Sequence, residues 1–344
     1  MKQMILSKGR LLDEKGHLTE SGYATSLVKD YSRKDIKAGP FGIKEWDYYL
    51  IYTDEYGVAL TLDDNSYMGL ISVTFLDFVG KKEHTVSLMT ILPMGRTNLP
   101  STSETGDVCF KNDRVFLSFR HIGNSRKLTL DMTEFDGGEP IAVELELIDE
   151  PRDSMVIATP FAENPKAFYY NQKIIGMKAQ GTVKYKNIIY AFSTEDSFGL
   201  LDWGRGVWTY DNTWYWSAGQ GSIEGKTFGF NLGYGFGDTS AATENVLFYE
   251  GISHKLDIVQ FHIPTLPDGK DDFLSPWNFT SSDGRFEATF TPILDRAAMT
   301  SLKIIMSDQH QVFGHFDGVA VLDDGTKIIM NHFLGFAEKV RNKW

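Results

Sequence analysis

Across its first half the chain repeats one pattern, short runs of branched and aromatic residues alternating with period two and broken by turn residues. Trp46-Asp47-Tyr48-Tyr49-Leu50-Ile51-Tyr52 and the runs 67–76, 85–92, 115–119, 127–132 and 141–148 all read as strands. Asp54-Glu55-Tyr56-Gly57 and Asp136-Gly137-Gly138 separate them as turns. In the second half, Asp283-Gly284 sits between Trp277–Thr280 and Arg285–Thr291, and Asp324-Gly325 between Gly318–Leu322 and Thr326–Phe333, both hairpin signals. The 13% aromatic content suits strands better than helices. Thr19 to Lys29 is expected to make a short helix. No heptad, low-complexity tract or solenoid period interrupts the pattern. The expected fold class is all-β, two antiparallel barrel or sandwich lobes with few short helices.

At 344 residues the chain exceeds the usual size of one compact domain, so two lobes with separate cores are expected. The composition changes at Asp149-Glu150-Pro151-Arg152-Asp153, and the stretch Pro160 to Pro165 interrupts strand pairing. The boundary is therefore expected near 150–170, with an N-terminal β lobe over 1–160 and a C-terminal β lobe over 161–344.

A net charge of -12 with pI near 5.2 argues against a nucleic-acid or anionic-membrane partner, both of which need clustered Lys and Arg. The lone Cys109 has no internal disulfide partner. The run Met1 to Leu12 is broken by Lys8 and Arg10 before it reaches the length of a signal h-region. No apolar segment reaches bilayer-spanning length, so no integral membrane segment is expected and a soluble cytoplasmic protein is the simplest reading. Oligomeric state has no signature in the sequence.

The densest chemistry lies between Phe198 and Gly251. Four of the seven tryptophans (Trp203, Trp208, Trp214, Trp216) share a glycine-rich segment there with Asp202, Arg205, Asp211, Asn231, Asp238, Glu244 and Asn245, and Tyr210 joins them as a binding candidate. A core has little use for so many indoles beside carboxylates and amides, because each buried polar group must find a partner. On an extended strand Asp202, Gly204, Gly206 and Trp208 share one face, with Trp203, Arg205 and Val207 on the other, and the two glycines favour a bend or a close approach. Asp202 reads equally as a proton donor or acceptor in a tryptophan-walled pocket and as the partner of Arg205 in a buried ion pair. For Arg205 the structural role is favoured. Trp214 and Trp216 share a face, suited to a cavity wall or a core pair. Asn231 and Asn245 fit turn or ladder-end positions as well as ligand contacts, and Asp238 has the surroundings of a solvated loop. Glu244 is the second catalytic candidate.

Other signals carry less. Gly233-Tyr234-Gly235-Phe236-Gly237 lacks the strand-then-helix context of a phosphate loop. His310 and His315 fall on opposite faces of a strand, and His254, His262 and His332 have no ligand spacing, so no metal is expected. There is no Gly-x-Ser-x-Gly elbow, and Cys109 lies far in sequence from the aromatic segment.

The runs Phe198-Gly199-x-x-Asp202-Trp203-Gly204-Arg205-Gly206, Trp214-x-Trp216, Asn231-Leu232-Gly233, Glu244-Asn245, His254-Lys255-Leu256, Pro276-Trp277, Gln311-x-Phe313-Gly314 and Gly335-Phe336-Ala337-Glu338 resemble a bacterial family of unknown function. A looser match covers Glu45-Trp46 through Tyr67-x-Gly69. That family is distantly similar to carotenoid 1,2-hydratases and AttH-like, lipocalin-like proteins. The resemblance covers most of residues 168 to 344. It implies lipocalin-like antiparallel lobes and a cofactor-free pocket for a small molecule, and carries no assigned catalytic residue.

Three functions follow as expectations. One is a cofactor-independent hydratase, isomerase or cyclase, in which Asp202 or Glu244 protonates an unsaturated hydrophobic substrate and Trp203, Trp208, Trp214 and Trp216 stabilise the developing cation. The remaining candidates Arg205, Tyr210, Asn231, Asp238 and Asn245 would contact the substrate. A glycosidase using Asp202 and Glu244 as paired carboxylates is the second. A non-catalytic small-molecule carrier is the third.

Overall fold

The computed structural model describes residues 2–302 and 305–343. Strands make up 64% of it, and among the described residues the helical turns are the short 3-10 segments Arg33–Asp35 and Pro40–Gly42. The expected helix over Thr19 to Lys29 is instead extended. Gly22–Ala24 pairs with Met155–Phe161, and Lys29–Asp30 runs parallel to Gly9–Arg10. Gly22 has φ 155 and lies so close to Met4 that a Cβ there would sit 2.5 Å from the Met4 carbonyl oxygen, so the pairing leaves no room for a side chain at that position.

Two large antiparallel sheets, each curled into a half-barrel, contain the remaining strands. In the first, strands run in the spatial order 82–91, 68–77, 56–64, 43–52, 198–207, 164–185, 139–148, 125–136, 115–122 and 108–111. In the second the order is 252–255, 246–249, 226–234, 211–223, 327–343, 305–321, 286–302, 277–281 and 259–262. Both DG hairpins form where expected: Trp277–Ser281 pairs with Phe286–Leu302, and Ile305–Val321 with Lys327–Lys343. Consecutive strands mostly pair as neighbours, but each sheet has one late strand inserted between earlier ones. Phe198–Val207 enters between Ile43–Tyr52 and Asn164–Tyr185, and Lys327–Lys343 between Asp211–Ile223 and Ile305–Val321.

The expected boundary at 160/161 falls inside the first sheet, in the hairpin joining Met155–Phe161 to Asn164–Tyr185. The chain passes from one sheet to the other between Val207 and Asp211. Residues Asn164–Tyr185 form one long strand with a bulge between Ile174 and Met177. Gly176 in that bulge has φ 89 and donates its N–H to Gln220 Oε1 of the second sheet at 3.0 Å. Tyr52 adds a second tie, accepting from the Gln220 N–H at 3.0 Å and donating to the Leu334 carbonyl at 3.3 Å.

One apolar core runs across this seam, taking Leu50, Leu200 and Ile174 from the first sheet and Trp216, Phe313 and Phe336 from the second. A second core, rich in phenylalanine (Phe228, Phe230, Phe286, Phe290, Phe316), fills the curl of the second sheet.

The expected Asp202–Arg205 pair does not form, because an odd spacing on a strand sends the two side chains to opposite faces. Arg205 is wholly buried and donates to Asp47 Oδ1 (2.9 Å) and to the carbonyls of Trp46 (2.7 Å), Gly204 (2.8 Å) and Pro100 (2.8 Å). Its guanidinium lies 4.3 Å from the Trp203 ring centroid. Arg205→Met would leave the buried Asp47 carboxyl without the guanidinium that bonds it. A loss of about 3–5 kcal/mol is expected in urea unfolding, with Asp47→Asn in the same chain recovering part of it.

Candidate functional site

Residues directly opposite one another on neighbouring antiparallel strands point to the same face, so a cross-strand row becomes a row of side chains. In the first sheet Tyr48, Asp202 and Lys173 form such a row. In the second, Gly233, Trp216, Glu338, Gln311 and Arg296 form another. The two rows meet face to face: Tyr48 Oη is 3.5 Å from Gln311 Oε1, and Lys173 Nζ is 3.8 Å from the Trp216 ring centroid.

Where the rows meet lies a cavity of about 120 Å³, lined by Trp46, Tyr169, Lys173, Asp202, Trp208, Trp214, Trp216, Phe236, Glu244 and Glu338. A larger recess of about 510 Å³ elsewhere, bounded by Tyr52, Asp54, Glu195, Glu224 and His332, is wide and polar and has no indole wall. The smaller cavity combines aromatic rings with ionisable groups, and for that reason it is the candidate site.

Its aromatic wall is assembled from both sheets. Trp46 stacks on Tyr169 with centroids 6.2 Å apart, Trp208 meets Trp46 at 5.4 Å and Trp214 at 5.6 Å, and Phe236 closes the group at 4.8 Å from Trp208. Glycine makes the room. A Cβ at Gly204 would stand 2.0 Å from Trp46 Cζ2, and one at Gly233 would stand 2.5 Å from Glu244 Oε1.

Three carboxyl groups enter the cavity. Asp202 is held at 2.8 Å by Lys173 Nζ and at 2.6 Å by Asn171 Nδ2, all on adjacent strands. Glu338 accepts from Trp214 Nε1 at 2.9 Å and from Gln311 Nε2 at 3.2 Å. Burial pushes its carboxyl up to about 7, against the opposing pull of the Trp214 hydrogen bond, Lys173 and Arg296, and with Asp202 adding to the rise. Burial also raises Glu244, opposed by Lys173 and by a 3.3 Å hydrogen bond from Asn231 Nδ2. Lys255 secures the Glu244 segment by donating to the carbonyls on either side of it, Thr243 (2.7 Å) and Asn245 (2.8 Å). Burial lowers the Lys255 amine to about 7.

Of the residues singled out in the sequence, Asp202, Glu244, Trp208, Trp214 and Trp216 line this one cavity. Trp203 and Arg205 lie on the opposite face of their strand, where Trp203 packs edge-on to Tyr31 and Tyr170. Tyr210 is exposed on the connection between the sheets. Asn231 stands behind the wall, accepting from Trp216 Nε1 at 2.7 Å and donating to Glu244. Asn245 is a ladder-end residue, bonded to the Gly233 N–H and the Asp257 carbonyl. Asp238 is exposed and caps the N–H of Ser240.

Trp46, Tyr169, Lys173, Phe236 and Glu338 complete the lining and were not among the sequence candidates. Trp46 and Glu338 stand inside the motif runs quoted above. Lys173 had a signal of its own, a lysine amid the apolar and aromatic run Ala167-Phe168-Tyr169-Tyr170 and Ile174-Ile175.

A raised carboxyl has a consequence for stability. Folded Glu338 holds its proton up to about 7, whereas an unfolded glutamate releases it near about 4.3. Its contribution to stability therefore falls as pH rises through that window. Urea unfolding at about pH 5 and about pH 8 is expected to show a smaller difference in Glu338→Gln than in the unaltered protein.

Among solved structures the fold is similar to a provisionally assigned AttH protein of Nitrosomonas europaea, with a TM-score of 0.58 at 12% identity over 92% of this chain and 98% of that one. Kievitone hydratase of Nectria haematococca aligns with a TM-score of 0.49 at 11% identity over 98% of each chain. CghA with Sch210972 aligns with a TM-score of 0.45 at 10% identity, over 98% of this chain and 97% of that one. At 12% identity the likeness to the Nitrosomonas europaea protein is one of fold. No curated protein matches the chain. No helix among the described residues is long and apolar enough to cross a membrane. The family profile described as domain of unknown function DUF2804 matches residues 2–344, and the chain belongs to that family.

Proposed function

We propose that this protein is a cofactor-independent enzyme that acts on an unsaturated hydrophobic small molecule by water addition or loss, isomerisation or cyclisation. The observation that carries the reading is Glu338, a carboxyl raised to about 7 that opens into an indole-walled cavity. An acid with its pKa near the working pH is both protonated and able to give the proton up.

The chemistry is short. Glu338 is held by Trp214 Nε1 and Gln311 Nε2, which can only donate, so its own proton is free to point into the cavity. Transfer of that proton to one alkene carbon leaves a cation on the other, facing Trp208, Trp214 and Trp216 and the nearby Asp202 carboxylate. Water captures the cation and returns its extra proton to the Glu338 carboxylate, or that carboxylate removes a proton from the adjacent carbon and the double bond moves, and either course restores the acid. In this reading Asp202, tied to Lys173 and Asn171, is a fixed negative charge, and Glu338 takes the acid role first assigned to it.

The test is incubation of the purified protein with a metabolite extract, followed by native mass spectrometry of what is retained and what changes in mass. Substrate is expected to gain or lose one water, or to rearrange. Glu338→Gln should lower turnover by a factor of at least about 10² while retaining ligand. Undiminished turnover in that variant removes Glu338 from the proton-transfer role. A ligand retained without change by the unaltered protein makes the chain a carrier.

A further inference from the structure

Gln311 is not in the cavity lining, yet its amide decides what Glu338 meets. Arg296 Nη1 donates to Gln311 Oε1 at 2.9 Å, and Gln311 Nε2 donates to Glu338 Oε2 at 3.2 Å. The three side chains stand directly opposite one another on three adjacent strands, Phe286–Leu302, Ile305–Val321 and Lys327–Lys343. A guanidinium has donors and no acceptor, so it is satisfied by the amide oxygen and repelled by the amide NH₂. The orientation of Gln311 is thereby set from outside the cavity.

Orientation matters because the two ends of the amide do opposite things to a carboxylic acid. With Nε2 turned toward it, Glu338 receives a donor on one oxygen and Trp214 Nε1 on the other, and its own proton has neither neighbour to bind. With the amide reversed, Oε1 would accept the Glu338 proton, directing it into the protein and away from a substrate. Tyr48 Oη, within 3.4–3.5 Å of both amide atoms, can donate or accept and so permits either orientation. Arg296 supplies the discrimination, and it is steadied from the first sheet by a 3.4 Å hydrogen bond from its Nε to Thr85 Oγ1.

We propose that Arg296 is a positioning residue, which locks the Gln311 amide with its donor toward Glu338 and so keeps that acid's proton directed into the cavity. The proposal rests on Glu338 as the proton donor, and it adds a control element outside the cavity that reaches the acid through one side chain. The other ionisable groups facing Glu338 are Lys173, Asp202 and Tyr169 from the first sheet, Glu244 from the segment preceding Val246–Tyr249, and Tyr48 from Ile43–Tyr52. None of them contacts the Gln311 amide except Tyr48, so the lock is separable from their charges.

The test reads the proton on Glu338 directly. The infrared carbonyl band of the protonated acid is assigned by its absence in Glu338→Gln and followed with pH. In Arg296→Met the titration midpoint is expected to rise by roughly 1 unit and the band to move to lower frequency, because the freed amide oxygen now accepts the proton. Arg296→Lys should hold both near their original values. Arg296→Gln should fall between and serves if the methionine variant does not fold.

The decisive comparison is Arg296→Met in a Gln311→Leu background, where the shift should shrink to a small part of its size. An unchanged midpoint and band in Arg296→Met overturn the proposal. So does an equal shift with and without the Gln311 amide, which would mean that Arg296 acts through its charge alone. The assignment of Glu338 as catalytic acid fails separately, by unaltered turnover in Glu338→Gln, whatever the infrared bands show.

Discussion

Lys173 places one ammonium group where three carboxyl groups converge, and the character of the cavity follows from that imbalance. It bonds Asp202 and lies over the Trp216 ring, so its charge is shared between a first-sheet carboxylate and a second-sheet indole. Glu244 and Glu338 remain in low-dielectric surroundings without a contact partner of opposite charge in the cavity wall, and burial raises both. Two of three acids are thereby pushed toward their neutral forms. Asp202, ion-paired to Lys173, and Glu338, held by the neutral donors Trp214 and Gln311, thus stand in different surroundings within one cavity.

The fold brings this about by setting two rows of side chains against each other. Neither sheet holds the site alone: Asp202, Lys173, Trp46 and Tyr169 come from the first, and Trp214, Trp216 and Glu338 from the second. The bulge at Ile175-Gly176 bends the long strand Asn164–Tyr185, and its free N–H is taken by Gln220, so the same irregularity that curves the first sheet ties it to the second. Glycine at 204 and 233 then clears the space that Trp46 and Glu244 occupy. The glycine richness of this segment is a packing requirement of bulky neighbours as much as a turn signal.

Inserted late strands explain why the 160/161 boundary does not coincide with the change of sheet. Proline and charge at 149–165 mark a hairpin within the first sheet, and composition has no means of marking that Phe198–Val207 returns to pair with Ile43–Tyr52, some 150 residues earlier. The residues expected to share one site divide for a similarly local reason. Asp202 and Trp208 face the cavity, whereas Trp203 and Arg205, on the other phase of the same strand, serve the core and the buried Asp47 pair.

What the sequence determined by itself was whatever depends on near neighbours. Period-two alternation and Asp-Gly turns dictate antiparallel strands, and the even spacing of Trp214 and Trp216 puts both indoles on the cavity face. The tertiary structure alone decided which distant strands became neighbours. Lys173 meets Asp202, and Glu338 meets Trp214 and Gln311, through pairings between strands remote in sequence, and no local pattern encodes a contact whose partner is supplied by another strand. The protonation of Glu338 was likewise beyond the sequence, because a carboxyl's pKa is set by what surrounds it after folding and not by the residues beside it in the chain.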